Sequence, residues 1–127
     1  MFTNSLGDCL LSFWKNYFGW GRASRSEYWL GVLFWGALPI ALFNAMLPQM
    51  AEDAVFMLRV NMIFLVYAFL IIIPMICLYV RRWHDTGRSG WWPLLLGCIP
   101  VIGGIIALVF MCLPGDPESN RYGAPRV

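Results

Sequence analysis

The sequence predicts an all-α fold: an integral membrane helical bundle with three transmembrane segments and an N-terminal amphipathic interfacial helix, in one domain over residues 1–127. Composition is the first reason. Sixty per cent of the chain is hydrophobic and 13% is charged, against about 25% charged in an ordinary soluble domain. A soluble fold of this size buries only about two-thirds of the surface its unfolded chain exposes, so the apolar excess must face lipid. The second reason is three uncharged stretches, residues 28–51, 60–80 and 89–115. Each supplies the roughly 20 apolar residues that cross about 30 Å of hydrocarbon as a helix. Lipid offers no partners to backbone N–H and C=O groups, so helices must satisfy them internally.

The elements follow in order. Over residues 4–18, Leu6, Cys9, Leu10, Phe13, Trp14 and Tyr17 recur at helical spacing, with Asp8 early, Lys15 late and Gly19 at the end. Such a helix lies in the membrane interface or docks on the bundle. Ser24 and Glu27 have capping-box spacing and start a membrane helix over 25–48. Ala37, Ala41 and Ala45 form a small-residue stripe on it, and Pro39 bends it.

A short connection with Glu52 and Asp53 leads to a second membrane helix over 58–80, with Arg59 snorkelling at its start and Pro74 kinking it. Residues 81–92, RRWHDTGRSGWW, form a polar turn bent at Thr86, Gly87 and Gly90, where Ser89 caps the next helix. The third membrane helix is expected over 90–113. Pro100, Gly103 and Gly104 interrupt it, leaving halves of roughly 15 Å. A re-entrant hairpin is the alternative, but the unbroken apolar length favours a single span. Residues 114–127 read as a loop tail.

Lys15, Arg22, Arg25, Arg81, Arg82 and Arg88 fall on one side of this arrangement, and Arg59, Arg121 and Arg126 on the other. Positive charge concentrates in the cytoplasm, which puts the N-terminus there. A hairpin would move Arg121 and Arg126 to join the six. Six of the seven tryptophans (Trp14, Trp20, Trp29, Trp83, Trp91 and Trp92) lie near the basic segments, where indoles favour the headgroup layer.

Several function classes are disfavoured. A net charge of +2 is too weak for nucleic acid. Cys9, Cys77, Cys98 and Cys112 show no C-x-x-C spacing and suggest packing rather than a disulfide or metal site. One histidine with nearby carboxylates is a poor metal set. GRSG at residues 87–90 is not a nucleophile elbow, and the methionines suggest packing rather than a copper path. No Asp, Glu, Lys, Arg or His interrupts the apolar stretches to relay protons or ions. No catalytic residue, metal or cofactor is assigned.

What remains is a polar constellation. Arg22, Arg25 and Glu27 enter the first helix, while Arg81, Arg82, His84, Asp85, Arg88 and Ser89 join the second to the third. Guanidinium forks match phosphate and carboxylate oxygens and stack on indoles. The constellation is therefore a candidate site for an anionic headgroup or phosphate-bearing ligand. The competing reading is internal bracing, with the arginines holding topology and Glu27 and Asp85 pairing with them.

With GRASRSEYW at residues 21–29, RRWHDTGRSGWW at 81–92 and NRYG at 120–123, nearly the whole chain resembles the domain-of-unknown-function 805 family of small bacterial inner-membrane proteins. The resemblance implies a multi-spanning inner-membrane protein and supplies no activity. It marks Arg22, Arg25, Glu27, Arg81, Arg82, His84, Asp85, Gly87, Ser89, Gly90, Asn120, Tyr122 and Gly123 as motif positions. Two residues depart from it: Trp83 stands where an aliphatic residue is usual, and Glu118 where glycine is.

The function expected is a non-enzymatic membrane module whose basic, Trp-rich cytoplasmic face binds anionic lipid or a membrane-protein partner. An oligomeric transporter or channel is one rival, since three helices cannot easily enclose a pore alone. An enzyme acting on a phosphate-bearing lipid headgroup through His84 and Asp85 is the other.

Overall fold

The structure, a computed structural model, describes residues 6–126. The first two residues of the expected 4–18 helix lie outside that range. Helix α1 (Leu6–Lys15) is amphipathic and buries Cys9 and Phe13. It docks on the bundle: the Phe13 ring stacks on Trp35 at 5.8 Å, and Trp14 meets Trp35 edge-on at 5.2 Å.

The first long helix is α2 (Arg25–Gly31), a π-helical stretch (Val32–Ala37) and α3 (Leu38–Met50), read continuously over Arg25–Gln49. Ser24 and Glu27 close the capping box reciprocally. The widened π stretch directly precedes Pro39, which has no N–H to return to the carbonyl four residues back, that of Trp35. The Tyr67 hydroxyl donates to that carbonyl instead, at 2.5 Å.

Asp53 caps α4 (Ala54–Asp85), accepting from the amides of Val55 and Phe56. This helix extends beyond the 58–80 read from the apolar run, because it carries the RRWHD motif as its last turns. Pro74 leaves the Leu70 carbonyl without its helical donor, and the Tyr17 hydroxyl supplies one at 2.7 Å. Two prolines in apolar helices are thus matched by two tyrosines on neighbouring segments, which gives each freed carbonyl a donor.

At 25 and 32 residues, these two helices are about 37 and 48 Å long, enough to cross a membrane. Their outer surfaces are apolar and bare: Ile63 is 70% exposed and Phe69 72%. In lipid, apolar faces gain little by leaving their solvent, so helix packing rests on close contact and hydrogen bonds.

The third apolar stretch does not form the single helix expected over 90–113. It divides into α5 (Trp92–Gly97) and α6 (Ile102–Cys112), about 9 and 16 Å long. Pro100 and Val101 turn the chain between them. Val101 has φ 66 and ψ −66, and the Ile102 amide bonds the Pro100 carbonyl at 2.8 Å. That is a γ-turn of the strained, positive-φ kind. Gly103 allows the return, since a Cβ there would lie 1.9 Å from the Leu96 carbonyl oxygen.

Both ends of this hairpin sit at the C-terminal end of α4. Gly90 lies against Val80 and His84, and the Asp116 amide bonds the Asp85 carbonyl at 2.7 Å. Ser89 offers its backbone carbonyl, not its side chain, to the amide of Trp92. The cap expected of Ser89 therefore does not form, because α5 starts later, with Trp91 as its uncapped N-cap.

Phe13, Ala23, Ile71 and Leu78 form one buried cluster, and Trp83, Leu96, Ala107 and Met111 another beneath the hairpin. Trp83 is fully buried within the protein rather than facing outward, and its indole N–H has no acceptor among the described residues.

Candidate functional site

The two basic turns meet at the C-terminal end of α4, and the tail folds over them. The backbone begins the join, with the Ala23 amide bonding the Arg81 carbonyl at 3.1 Å. Asp85 holds it, bridging the Arg22 Nε at 2.9 Å and the Arg82 Nη1. Arg82 precedes Asp85 by three residues on one helical face, the spacing at which side chains meet.

Every N–H group of Arg22 that the structure engages points inward. Nη2 donates to the carbonyls of Asp116 (2.5 Å) and Asp85 (3.3 Å), and Nη1 to those of Glu118 (2.8 Å) and Gly123 (3.4 Å). Arg82 donates to the carbonyls of Met111, Leu113 and Ala23. It thereby serves the last carbonyls of α6, which a helix end leaves without donors. Arg22 is 3% exposed and Arg82 0%. Arg81 donates to the Arg22 carbonyl at 3.1 Å and lies 3.9 Å from Glu27.

The close approach is written into one glycine. A Cβ on Gly115 would lie 2.0 Å from an Asp85 carboxylate oxygen. Only a residue without a side chain lets α6 run into the tail this near the ion pair.

His84 and Asp85 are adjacent in sequence but face different partners. The His84 ring is sandwiched between Tyr122 (3.8 Å, 4°) and Trp20 (5.7 Å, 14°), and its Nδ1 donates to the Gly21 carbonyl at 3.1 Å. Asn120 ties the tail down, donating to the His84 carbonyl and an Asp116 carboxylate oxygen, each at 3.0 Å. Asn120 and Gly123 pair their backbones to close the tail's turn, which lets Tyr122 lie flat on His84. Glu118 contributes only its carbonyl to Arg22, so its side chain is irrelevant to that contact.

Of the basic residues singled out in the sequence, Arg22, Arg81 and Arg82 are buried here, not displayed on a surface patch. Asp85, Glu27 and the tail carbonyls supply the reason, because each neutralises or accepts from groups that would otherwise need water. Arg88 stacks over Phe110 at 3.9 Å, while Arg25 is exposed and makes no hydrogen bond or ion pair among the described residues.

An open cleft of about 480 Å³ lies beside this knot, bounded by Arg22, Ser24, Arg25 and Ser26 on one side and by Asp116 and Arg126 on the other. Arg126 pairs with Glu27 at 2.8 Å while its side chain stays 45% exposed. Reading of the sequence missed Ser26, Asp116 and Arg126. The signal for Arg126 was present in the hairpin alternative, which brings the tail to this face.

Among the described residues no group of His, Cys, Asp and Glu is arranged to hold a metal ion. A family model described as "Protein of unknown function (DUF805)" matches residues 17–124. The chain belongs to the DUF805 family. Two relatives from Escherichia coli (strain K12) are similar over most of their length. Inner membrane protein YhaI is 41% identical over 114 residues, covering 89% of this chain and 90% of the relative. Inner membrane protein YhaH is 38% identical over 119 residues, covering 91% and 93%. No solved structure matches this DUF805 chain.

Proposed function

We propose that this protein is a multi-pass, non-enzymatic module of the bacterial inner membrane whose basic, Trp-rich cytoplasmic face binds anionic lipid headgroups. The relatives are named inner membrane proteins, and two helices here have the length and apolarity of membrane spans. In this reading the chain crosses twice, and the α5–α6 hairpin enters and leaves from the cytoplasmic side. Lys15, Arg22, Arg25, Arg81, Arg82, Arg88, Arg121 and Arg126 then share that side, eight of nine Lys and Arg residues, with Arg59 opposite. Such an asymmetry marks the cytoplasmic face and supports a cytoplasmic N-terminus.

One observation carries the lipid reading. After the internal pairing of Arg22, Arg81 and Arg82, exposed cations still lie at the same end of the molecule as exposed Trp20, Trp91 and Trp92. Basic groups near a membrane surface attract anionic headgroups by about 1 kcal/mol each. A binding rather than catalytic role is favoured because His84 and Asp85 are committed to separate internal contacts.

Native mass spectrometry of the protein from mixed phosphatidylglycerol and phosphatidylethanolamine nanodiscs tests the proposal. Preferential retention of the anionic lipid is expected. Equal retention of both would overturn it.

A further inference from the structure

We propose that the cleft between the start of α2 and the tail is a phosphate subsite, taking a phosphate group carried on a lipid headgroup or free in solution. The inference deepens the lipid-binding reading above and rests on it for the headgroup source.

Charge accounting at the knot is the main argument. Five guanidinium groups gather there (Arg22, Arg25, Arg81, Arg82 and Arg126) against three carboxylates (Glu27, Asp85 and Asp116), an excess of two positive charges. Asp85 is shared by Arg22 and Arg82, and Glu27 by Arg81 and Arg126. No carboxylate is left for Arg25, and Asp116 accepts from neutral Asn120. The cleft's own lining is net positive by one, Arg22, Arg25 and Arg126 against Asp85 and Asp116, and Arg25 and Arg126 are its exposed cations.

The donor set suits a phosphate. Arg25 is free, and Arg126 is held by Glu27 through Nη1 alone, so its other nitrogens remain available. Ser26 bonds only the Ser24 hydroxyl, at 3.0 Å. Two guanidinium forks and a hydroxyl match tetrahedral oxygens better than a lone cation would. Arg22 borders the same cleft with its donors spent on Asp85 and the tail carbonyls, so it contributes field rather than contact. The cleft adjoins the first residues of a membrane-crossing helix, which puts it at headgroup depth.

The test compares the full-length protein with Arg25→Gln, Arg25→Gln/Arg126→Gln and Arg121→Gln. The last removes one charge from the same face outside the cleft. Retention of phosphatidylglycerol over phosphatidylethanolamine is read by native mass spectrometry, and inorganic phosphate is titrated calorimetrically into protein in purely zwitterionic nanodiscs. A tenfold or greater loss of anionic-lipid preference in both cleft variants, with Arg121→Gln losing no more than the roughly fivefold that any one basic group on this face accounts for, is expected for a headgroup. Phosphate binding that the cleft variants abolish, without lipid preference in the wild type, assigns the subsite to free phosphate and overturns the lipid reading alone. Lipid preference unchanged by the cleft variants would overturn the subsite and leave the lipid reading standing. Neither lipid preference nor phosphate binding in the wild type would overturn both.

Discussion

Replacing Asp85 by Asn is the sharpest perturbation of the fold. The side chain keeps its size and one acceptor oxygen but loses the charge that Arg22 and Arg82 share. Arg22 and Arg82 have side chains 1% and 0% exposed, so neither can recover water. Leaving a buried charge without its partner costs about 3–5 kcal/mol, while a protein's whole stability is roughly 5–15 kcal/mol. At 1.4 kcal/mol per decade, even the lower figure cuts the folded-to-unfolded ratio about 150-fold. The thermal midpoint should fall by on the order of 10 °C or more.

The assay is thermal unfolding in mild detergent, followed by near-ultraviolet circular dichroism of the tryptophans. Arg25→Gln serves as the control, since Arg25 is exposed and unpaired, and its midpoint should stay near wild type. Adding Arg22→Gln to Asp85→Asn removes one stranded charge, so the double variant should be less destabilised than the sum of the singles. An Asp85→Asn midpoint within 2 °C of wild type would refute the reasoning. The knot would then be an incidental contact.

Two further predictions follow from the hairpin and the proline sites. Tyr17→Phe should cost about 1–2 kcal/mol, the usual penalty for an acceptor left unpaired, read by the same melt. Pro74→Ala should restore most of it by returning a backbone donor to Leu70, and no rescue would contradict the pairing. Gly103→Ala should destabilise by about 1–3 kcal/mol, because the new Cβ meets a backbone carbonyl that cannot swing aside. Gly104→Ala, where a Cβ has open space, should be near neutral, and equal effects of the two would argue against the hairpin.

Much of the helical content was legible because apolar length and local caps are local signals. The Ser24–Glu27 capping box needs only its own four residues, and Pro39 and Pro74 announce interrupted ladders wherever they stand. How those interruptions are healed was not legible. Tyr17 reaches Leu70 across 53 positions, and nothing near either residue records it.

The hairpin is legible only as an alternative. Pro100 and Gly103 mark an interruption, but an apolar run carries no periodic sign of a reversal, and the deciding contact is Gly103 against the Leu96 backbone. The fate of the arginines was hidden for a related reason. A guanidinium group in an isolated sequence looks solvated, and its burial depends on acceptors far away, such as Gly123 for Arg22 and Met111 for Arg82. The burial of Trp83 is hidden in the same way, since its environment is built by Leu96, Ala107 and Met111 from the returning hairpin.

The account stands on the third apolar stretch turning back, so that three motifs join at one face. A dual reporter fused after Val127, active as a phosphatase only outside the cytoplasm and fluorescent only inside it, reads this directly. A fluorescent, phosphatase-negative C-terminus on the same side as the N-terminus is the predicted result. Phosphatase activity without fluorescence would mean the stretch crosses the membrane, which parts the tail from Arg22 and leaves Arg82 without the carbonyls of Met111 and Leu113.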